Sequence, residues 1–202
     1  MYKTWFRLIL FGYLLFMYFL APFFPFMALN VLLAWIPLEI AWFAEKRVDS
    51  LLGKISLLFW LLFYPNIPYL LTDLFHLETL SIYSENAIFH NDITSWFSFL
   101  LLIVPILFLP TFGVRSAEHL LAKFFPKQSR LVLVAVFVLA ALGIYAGRFL
   151  RLHSVHFLIA PLQTLTLIFG LWDWDKLAFI LIFTIIQLLL WQVPSWLKKV
   201  AA

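Results

Sequence analysis

Long apolar stretches recur along this chain, and they constrain its fold more than any other feature. A helix that crosses a bilayer needs about 20 mostly apolar residues. The 202 residues are 65% hydrophobic and 12% charged, whereas soluble domains carry about 25% charged residues. The sequence therefore predicts an all-α, polytopic membrane bundle that forms one domain over residues 1–202. Its six predicted spans are roughly 5–22, 27–44, 55–77, 94–113, 131–150 and 176–195.

The distribution of Lys and Arg predicts how the chain is oriented. Cytoplasmic loops of membrane proteins are enriched in these residues. The loop 78–93 contains neither, whereas the connections 45–54 and 114–130 contain several. The N-terminus is therefore predicted to be cytoplasmic and the loop 78–93 extracytoplasmic. Apolar residues among the basic ones in 114–130 predict a short amphipathic helix on the cytoplasmic face, ended by Pro126.

The stretch 152–174 leaves seven spans as an alternative to six. It is apolar, but Pro161 and Gly170 interrupt it. Six spans place Lys198 and Lys199 on the cytoplasmic side, which the charge rule favours, and seven place them outside. Six spans are preferred, with both termini cytoplasmic and with 152–174 as a re-entrant or interfacial segment on the outer side.

Two prolines three residues apart break the third predicted span near its centre. Pro65 and Pro68 each lack a backbone donor and clash with the preceding turn of a helix. Asn66 or Ile67 is expected to cap a second half-helix, in which Pro68 takes the first position. Non-helical backbone at this depth persists only where protein buries it or a cavity borders it. Discontinuous helices often form substrate sites in transporters, and a plain proline kink that helps packing is the alternative.

Ionisable residues follow the break. Tyr69, Asp73 and His76 recur at i, i+4 and i+7, which predicts one shared helical face. An ionisable group such as Asp73 near the hydrocarbon needs a partner. Arg148 and Arg151 lie one turn apart near the outer end of the fifth predicted span, at a compatible depth. Asp73 is therefore predicted to pair with Arg148, either as a structural ion pair or as part of a functional site.

The predicted topology brings a set of polar residues to the outer half of the bundle. The candidate substrate-binding cluster consists of Asn30, Asn66, Tyr69, Asp73, His76, Asp92, Arg148 and Arg151. Arg148 and Arg151 carry more positive charge than Asp73 neutralises. The surplus would favour an anionic group such as a phosphate or carboxylate. Gly143 and Gly147 in the fifth span form a small-xxx-small pair that lets a neighbouring helix approach closely.

The absence of several motifs narrows the chemistry. The chain has no Cys, which excludes disulfides, thiol catalysis and cysteine-ligated metals. His153 and His156 are spaced so that they could share a metal, but no recognised ligand motif is present and no metal site is predicted. There is no phosphate loop, serine nucleophile elbow or dinucleotide fingerprint, so the cofactor is unknown. The net charge of +4 comes with the span-flanking Lys and Arg, which indicates a lipid bilayer as partner rather than nucleic acid.

Three segments carry a family resemblance. Asn30 is followed by Ala-Trp-Ile-Pro in 29–37, Pro-Asn-Ile-Pro-Tyr runs into Thr-Asp-Leu-Phe-His-Leu in 65–77, and 143–151 reads Gly-Ile-Tyr-Ala-Gly-Arg-Phe-Leu-Arg. In this order, over about 25–195, they resemble the bacterial integral membrane proteins called domain of unknown function 1361. That family tends to continue with Trp-Asn-Ser-Trp-Asp where 152–156 reads Leu-His-Ser-Val-His, which weakens a metal role for these histidines. The resemblance implies a multi-pass protein of the bacterial inner membrane, and it implies no activity.

Three hypotheses for the function follow. The chain could be a small transporter or lipid-handling protein for an anionic or lipid-like substrate. It could be a membrane-embedded enzyme that acts on a lipid or envelope substrate, with Asp73 or His76 as the acid–base group. It could also be a structural or accessory subunit in which the polar cluster stabilises the bundle. The sequence does not decide between them, nor does it give the oligomeric state.

Overall fold

A computed structural model describes residues 2–21, 23–80, 93–152, 155–170 and 172–200. These residues form helices joined by short connections, which confirms the all-α prediction. The helices are α1 (Tyr2–Phe19), α2 (Phe26–Ala44), α3 (Leu51–Phe63), α4 (Asn66–Tyr69), a 3₁₀ helix (Leu70–Thr79), α5 (Ile93–Phe124), α6 (Ser129–Phe149), α7 (His156–Ile159), α8 (Pro161–Gly170) and α9 (Trp174–Val200).

Five segments of the described chain are long and apolar enough to cross a membrane, and they correspond to predicted spans two to six. They are Phe26–Ala44, Leu51–Thr79, Ile93–Phe124, Ser129–Phe149 and Trp174–Trp196. Many of their large apolar side chains are exposed, as lipid contact requires. The chain is therefore a multi-pass membrane protein. The first predicted span is helical as α1, but Lys3 and Arg7 lie within its 18 residues and α1 is not one of the five.

The segment 114–130 differs from its prediction. It does not begin with a separate amphipathic helix, because α5 continues without interruption to Phe124. Leu120 and Leu121 are buried in the core, and this burial holds the extension against the bundle. Arg115 adds a connection to α9, since its guanidinium donates to the carbonyl oxygen of Trp191 at 2.7 Å. The helix does end just before Pro126, as predicted.

The segment 152–174 forms two short helices rather than a span. The longer of them, α8, has ten residues and is about 15 Å long, half the thickness of a bilayer core. Thr164 of α8 donates to the carbonyl oxygen of His156 at 3.1 Å, which ties α7 to α8. Neither helix is thus long enough to cross, in agreement with the six-span interpretation, and the side of the membrane on which the segment lies stays a prediction.

The predicted break at Pro65 and Pro68 is present. Pro68 has no N–H for the carbonyl oxygen of Tyr64, and the N–H of Ile67 takes that place at 3.0 Å. The carbonyl oxygen of Phe63 then accepts a hydrogen bond from the side-chain Nδ2 of Asn66 at 2.8 Å. The prediction that Asn66 caps a following half-helix is therefore wrong. Its side chain instead satisfies a carbonyl oxygen at the end of the preceding helix, α3.

Three glycines allow two other helices to approach this break. The pairs are Gly113 of α5 with Ile67, Gly143 of α6 with Pro65, and Gly147 of α6 with Tyr69. A Cβ atom at Gly143 would lie 2.8 Å from Cγ of Pro65, and one at Gly147 would lie 3.2 Å from Cε2 of Tyr69. The predicted close approach at Gly143 and Gly147 is therefore confirmed, and the helix that approaches is the broken one.

Candidate functional site

A cavity of about 380 Å³ lies beside the break. The walls come from α2, α3 and α4 on one side and from α6 on the other, and α8 covers it together with Leu152 and Phe157. Most of the described lining side chains are Leu or Phe, and none of them is charged. The polar side chains in the lining are Asn30, Asn66 and Tyr69. The cavity thus combines an apolar length with a few hydrogen-bonding groups.

The cavity opens on the surface of the bundle that lipid would contact. Two of its lining side chains, Leu58 of α3 and Leu139 of α6, are 68% and 46% exposed. Both helices belong to candidate spans. The side chains of Leu29, Leu165 and Phe169 also line the cavity and are exposed at the surface. The opening of the cavity therefore lies among exposed apolar side chains of the candidate spans.

Asn30 connects this cavity to a buried carboxylate. The Nδ2 of Asn30 donates to Oδ2 of Asp73 at 2.8 Å, and Asp73 is only 1% exposed. One turn toward the start of α2, the ring of Phe26 packs against His76 with centroids 4.4 Å apart. Asp73 and His76 therefore share a face, as predicted. Tyr69 faces α6 instead, because the chain from Leu70 onward winds as a 3₁₀ helix with three residues per turn.

The predicted pair of Asp73 with Arg148 is wrong. Among the described residues, no ion pair within 4.0 Å includes either side chain. The 3₁₀ winding turns Asp73 toward α2, where Asn30 donates a hydrogen bond to its carboxylate. The guanidinium of Arg148 lies 6.0 Å from the ring centroid of Phe75. From there its charge still acts electrostatically on Asp73 and His76, but it does not line the cavity.

The remaining predicted site residues lie apart from the cavity or outside the described chain. Arg151 is exposed and has a positive φ of 54°. This left-handed residue turns the chain at the end of α6, so that the N–H of Leu152 donates to the carbonyl oxygen of Ala146 at 3.1 Å. Leu152 thereby reaches the cavity wall. Asp92, His90 and His153 fall outside the described residues, and the part that is described holds no group of three metal-ligating side chains.

The three segments singled out in the sequence therefore meet at one cavity: 29–37 through Asn30, 65–77 through Asn66 and Tyr69, and 143–151 through its two glycines. Residues 29–190 match a family described as protein of unknown function (DUF1361). The chain belongs to this family. The predicted resemblance is thus confirmed, and no curated protein or solved structure matches the chain. The DUF1361 region includes every residue that lines the cavity.

Lys176, also within the DUF1361 region, was not identified from the sequence. It is 2% exposed, and its Nζ donates to the carbonyl oxygen of Ile168 at 2.5 Å, in the last turn of α8. Its ammonium also lies 4.5 Å from the ring centroid of Trp172. Ile168 lines the cavity, so Lys176 holds the covering helix to the start of α9. The one signal in the sequence was a lone Lys directly before an apolar stretch.

Replacing Lys176 with Met should loosen the cover of the cavity. We expect amide hydrogen exchange in 161–170 to rise about tenfold, because a hydrogen bond from a charged group contributes about 1.5 kcal/mol. Lys123→Met is the matched control, since Lys123 lies 3.8 Å from Glu45 on another part of the bundle. Exchange in 161–170 that is the same in both variants would show that Lys176 does not hold α8.

Proposed function

We propose that this DUF1361 protein binds an amphiphilic, lipid-like molecule that enters its cavity sideways from the bilayer. One observation carries the proposal: an apolar cavity with a few polar groups opens between α3 and α6 on the lipid-facing surface. Its volume of about 380 Å³ falls within the range of small-molecule sites, about 300–1,000 Å³. By the charge distribution along the sequence, the polar groups belong to the extracytoplasmic half of the membrane.

The lining favours a lipid-like substrate over a small anion. Arg148 and Arg151 were expected to supply positive charge, but neither lines the cavity. A phosphate or carboxylate inside it would be surrounded by Leu and Phe, and a buried charge without a partner is costly. An alkyl or isoprenoid chain would instead replace its lipid contacts with those apolar walls.

The other two hypotheses have less support. Asp73 and His76 do not line the cavity, so an enzyme would need a movement that brings one of them to the substrate. A purely structural role accounts for the bond between Asn30 and Asp73. It does not account for an open cavity in the same place, since interiors otherwise pack closely.

Photolabelling with a long-chain alcohol that carries a diazirine in its chain tests the proposal. In nanodiscs, we expect label on residues of the cavity lining. Leu139→Trp should reduce that label about tenfold, because the larger ring fills the opening beside α3; this corresponds to about 1.4 kcal/mol of binding free energy. The control is Val138→Trp, at the adjacent position of α6, which is 42% exposed and does not line the cavity.

Two results would contradict the proposal. One is label spread evenly over all exposed apolar residues, which would show ordinary lipid contact without a site. The other is an equal loss of label in the Leu139→Trp and Val138→Trp proteins, which would show that the cavity itself does not matter.

A further inference from the structure

We infer that the polar end of the cavity selects an uncharged head group that donates a hydrogen bond, such as a hydroxyl or an amide N–H. The inference rests on the proposed function, because it names the class of lipid that the same cavity takes. It follows from the direction in which Asn30 presents its amide, and that direction is set by Asp73.

Asp73 orients the side chain of Asn30. An ionised carboxylate accepts hydrogen bonds and donates none, so the NH₂ of Asn30 has to face it. The structure has this arrangement, with Nδ2 of Asn30 2.8 Å from Oδ2 of Asp73. The carbonyl Oδ1 then points away from the carboxylate, and none of the described residues donates to it. Because Asn30 lines the cavity, a ligand there meets an acceptor.

Asn66 and Tyr69 supply the other polar side chains of the lining. One of the two N–H groups of Asn66 is given to the carbonyl oxygen of Phe63 at 2.8 Å. The hydroxyl of Tyr69 can donate or accept a hydrogen bond. The preference for a head group that donates is therefore set at Asn30.

Charge works in the same direction. An anionic head group placed against Asn30 would have the carboxylate of Asp73 directly behind the amide. Like charges at this separation repel, and the apolar walls screen them poorly. The guanidinium of Arg148 lies 6.0 Å from the ring centroid of Phe75, and Arg148 does not line the cavity. The arrangement therefore disfavours fatty acids and lysophospholipids relative to neutral lipids with the same chain.

Competition against the diazirine alcohol tests this inference on the unmodified protein in nanodiscs. The competitors share one acyl chain and differ in the head: a monoacylglycerol donates, its fatty acid methyl ester only accepts, and the free fatty acid is anionic. We expect the monoacylglycerol to compete about tenfold more strongly than either of the others, the effect of about one hydrogen bond. Equal competition by all three, or the strongest competition by the fatty acid, would overturn the inference.

These outcomes are separate from a failure of the proposed function. Equal competition would leave the cavity as a site for acyl chains and remove only the head-group preference. Label that none of the three displaces would remove the binding site altogether. The comparison needs no variant, so it does not depend on whether any substitution folds.

Asp73→Asn tests the role assigned to Asp73. An amide at position 73 can donate as well as accept, so Asn30 is free to turn over and present either side. The preference for monoacylglycerol over methyl ester should then fall below about threefold, because the ester can accept a hydrogen bond from an Asn30 that has turned over. Arg148→Gln is the control and should keep the tenfold preference, since Arg148 does not line the cavity. A full preference in Asp73→Asn, or a lost one in Arg148→Gln, would contradict the assignment.

Discussion

Replacing Asn30 with leucine is expected to lower the free energy of unfolding by about 3 kcal/mol. Asp73 is 1% exposed, and the amide of Asn30 is its hydrogen-bond partner. Leucine has a similar branched shape, but it leaves the buried carboxylate without that bond. The loss can be measured by unfolding the protein with SDS in mixed micelles.

A double-mutant cycle separates this bond from general packing effects. Asn30→Leu together with Asp73→Leu should recover most of the lost stability, because replacing both partners by apolar groups can be nearly neutral. Arg148→Leu should cost less than about 1 kcal/mol, since its guanidinium lies over Phe75 and is partly exposed. If Arg148→Leu costs as much as Asn30→Leu, the pair predicted from sequence exists after all.

The sequence predicts that Asn30, Asp73 and Arg148 lie near one another, but it does not predict which of them pairs with Asp73. Apolar length and charge distribution place Asn30, Asp73 and Arg148 at one end of the bundle. The partner of Asp73 depends on the type of helix. Tyr69 and Asp73 are about 40° apart around an α-helix and about 120° apart around a 3₁₀ helix. The 3₁₀ winding of Leu70–Thr79 therefore turns Asp73 to α2, and composition does not reveal that winding.

The cavity is also beyond what the sequence shows. Its walls consist mostly of leucine and phenylalanine, and in a membrane protein such a side chain packs equally well against lipid or protein. The cover depends on how α8 folds back, which involves contacts between side chain and backbone such as Lys176 with the carbonyl oxygen of Ile168. The prolines and glycines were more informative. Pro65 and Pro68 predict a break, and Gly143 and Gly147 predict the close approach that borders it.

Gly113→Ala is expected to lower the free energy of unfolding by about 2 kcal/mol, through overpacking at the break. A Cβ atom at this position would lie 2.5 Å from Cγ2 of Ile67. Ile67 is 1% exposed and sits between the two prolines, so it has little room to yield. The broken segment and α5 would have to separate. Thermal unfolding in detergent and SDS titration both measure the loss.

Gly12→Ala is the matched control for this substitution. Gly12 lies in the middle of α1, and a Cβ atom there would have nothing within 4 Å. Alanine at such a helical position should be neutral or stabilise by up to about 1 kcal/mol.

The partner of Gly113 can be identified by a second cycle. In an Ile67→Ala background, which removes Cγ2 and Cδ1, Gly113→Ala should cost much less than 2 kcal/mol, since the two sites are in contact and their effects do not add. Additive losses would show that Gly113 and Ile67 do not meet. The broken segment would then be stabilised only by the contacts of Pro65 and Tyr69 with α6. A larger side chain at position 113 would then leave the cavity unchanged.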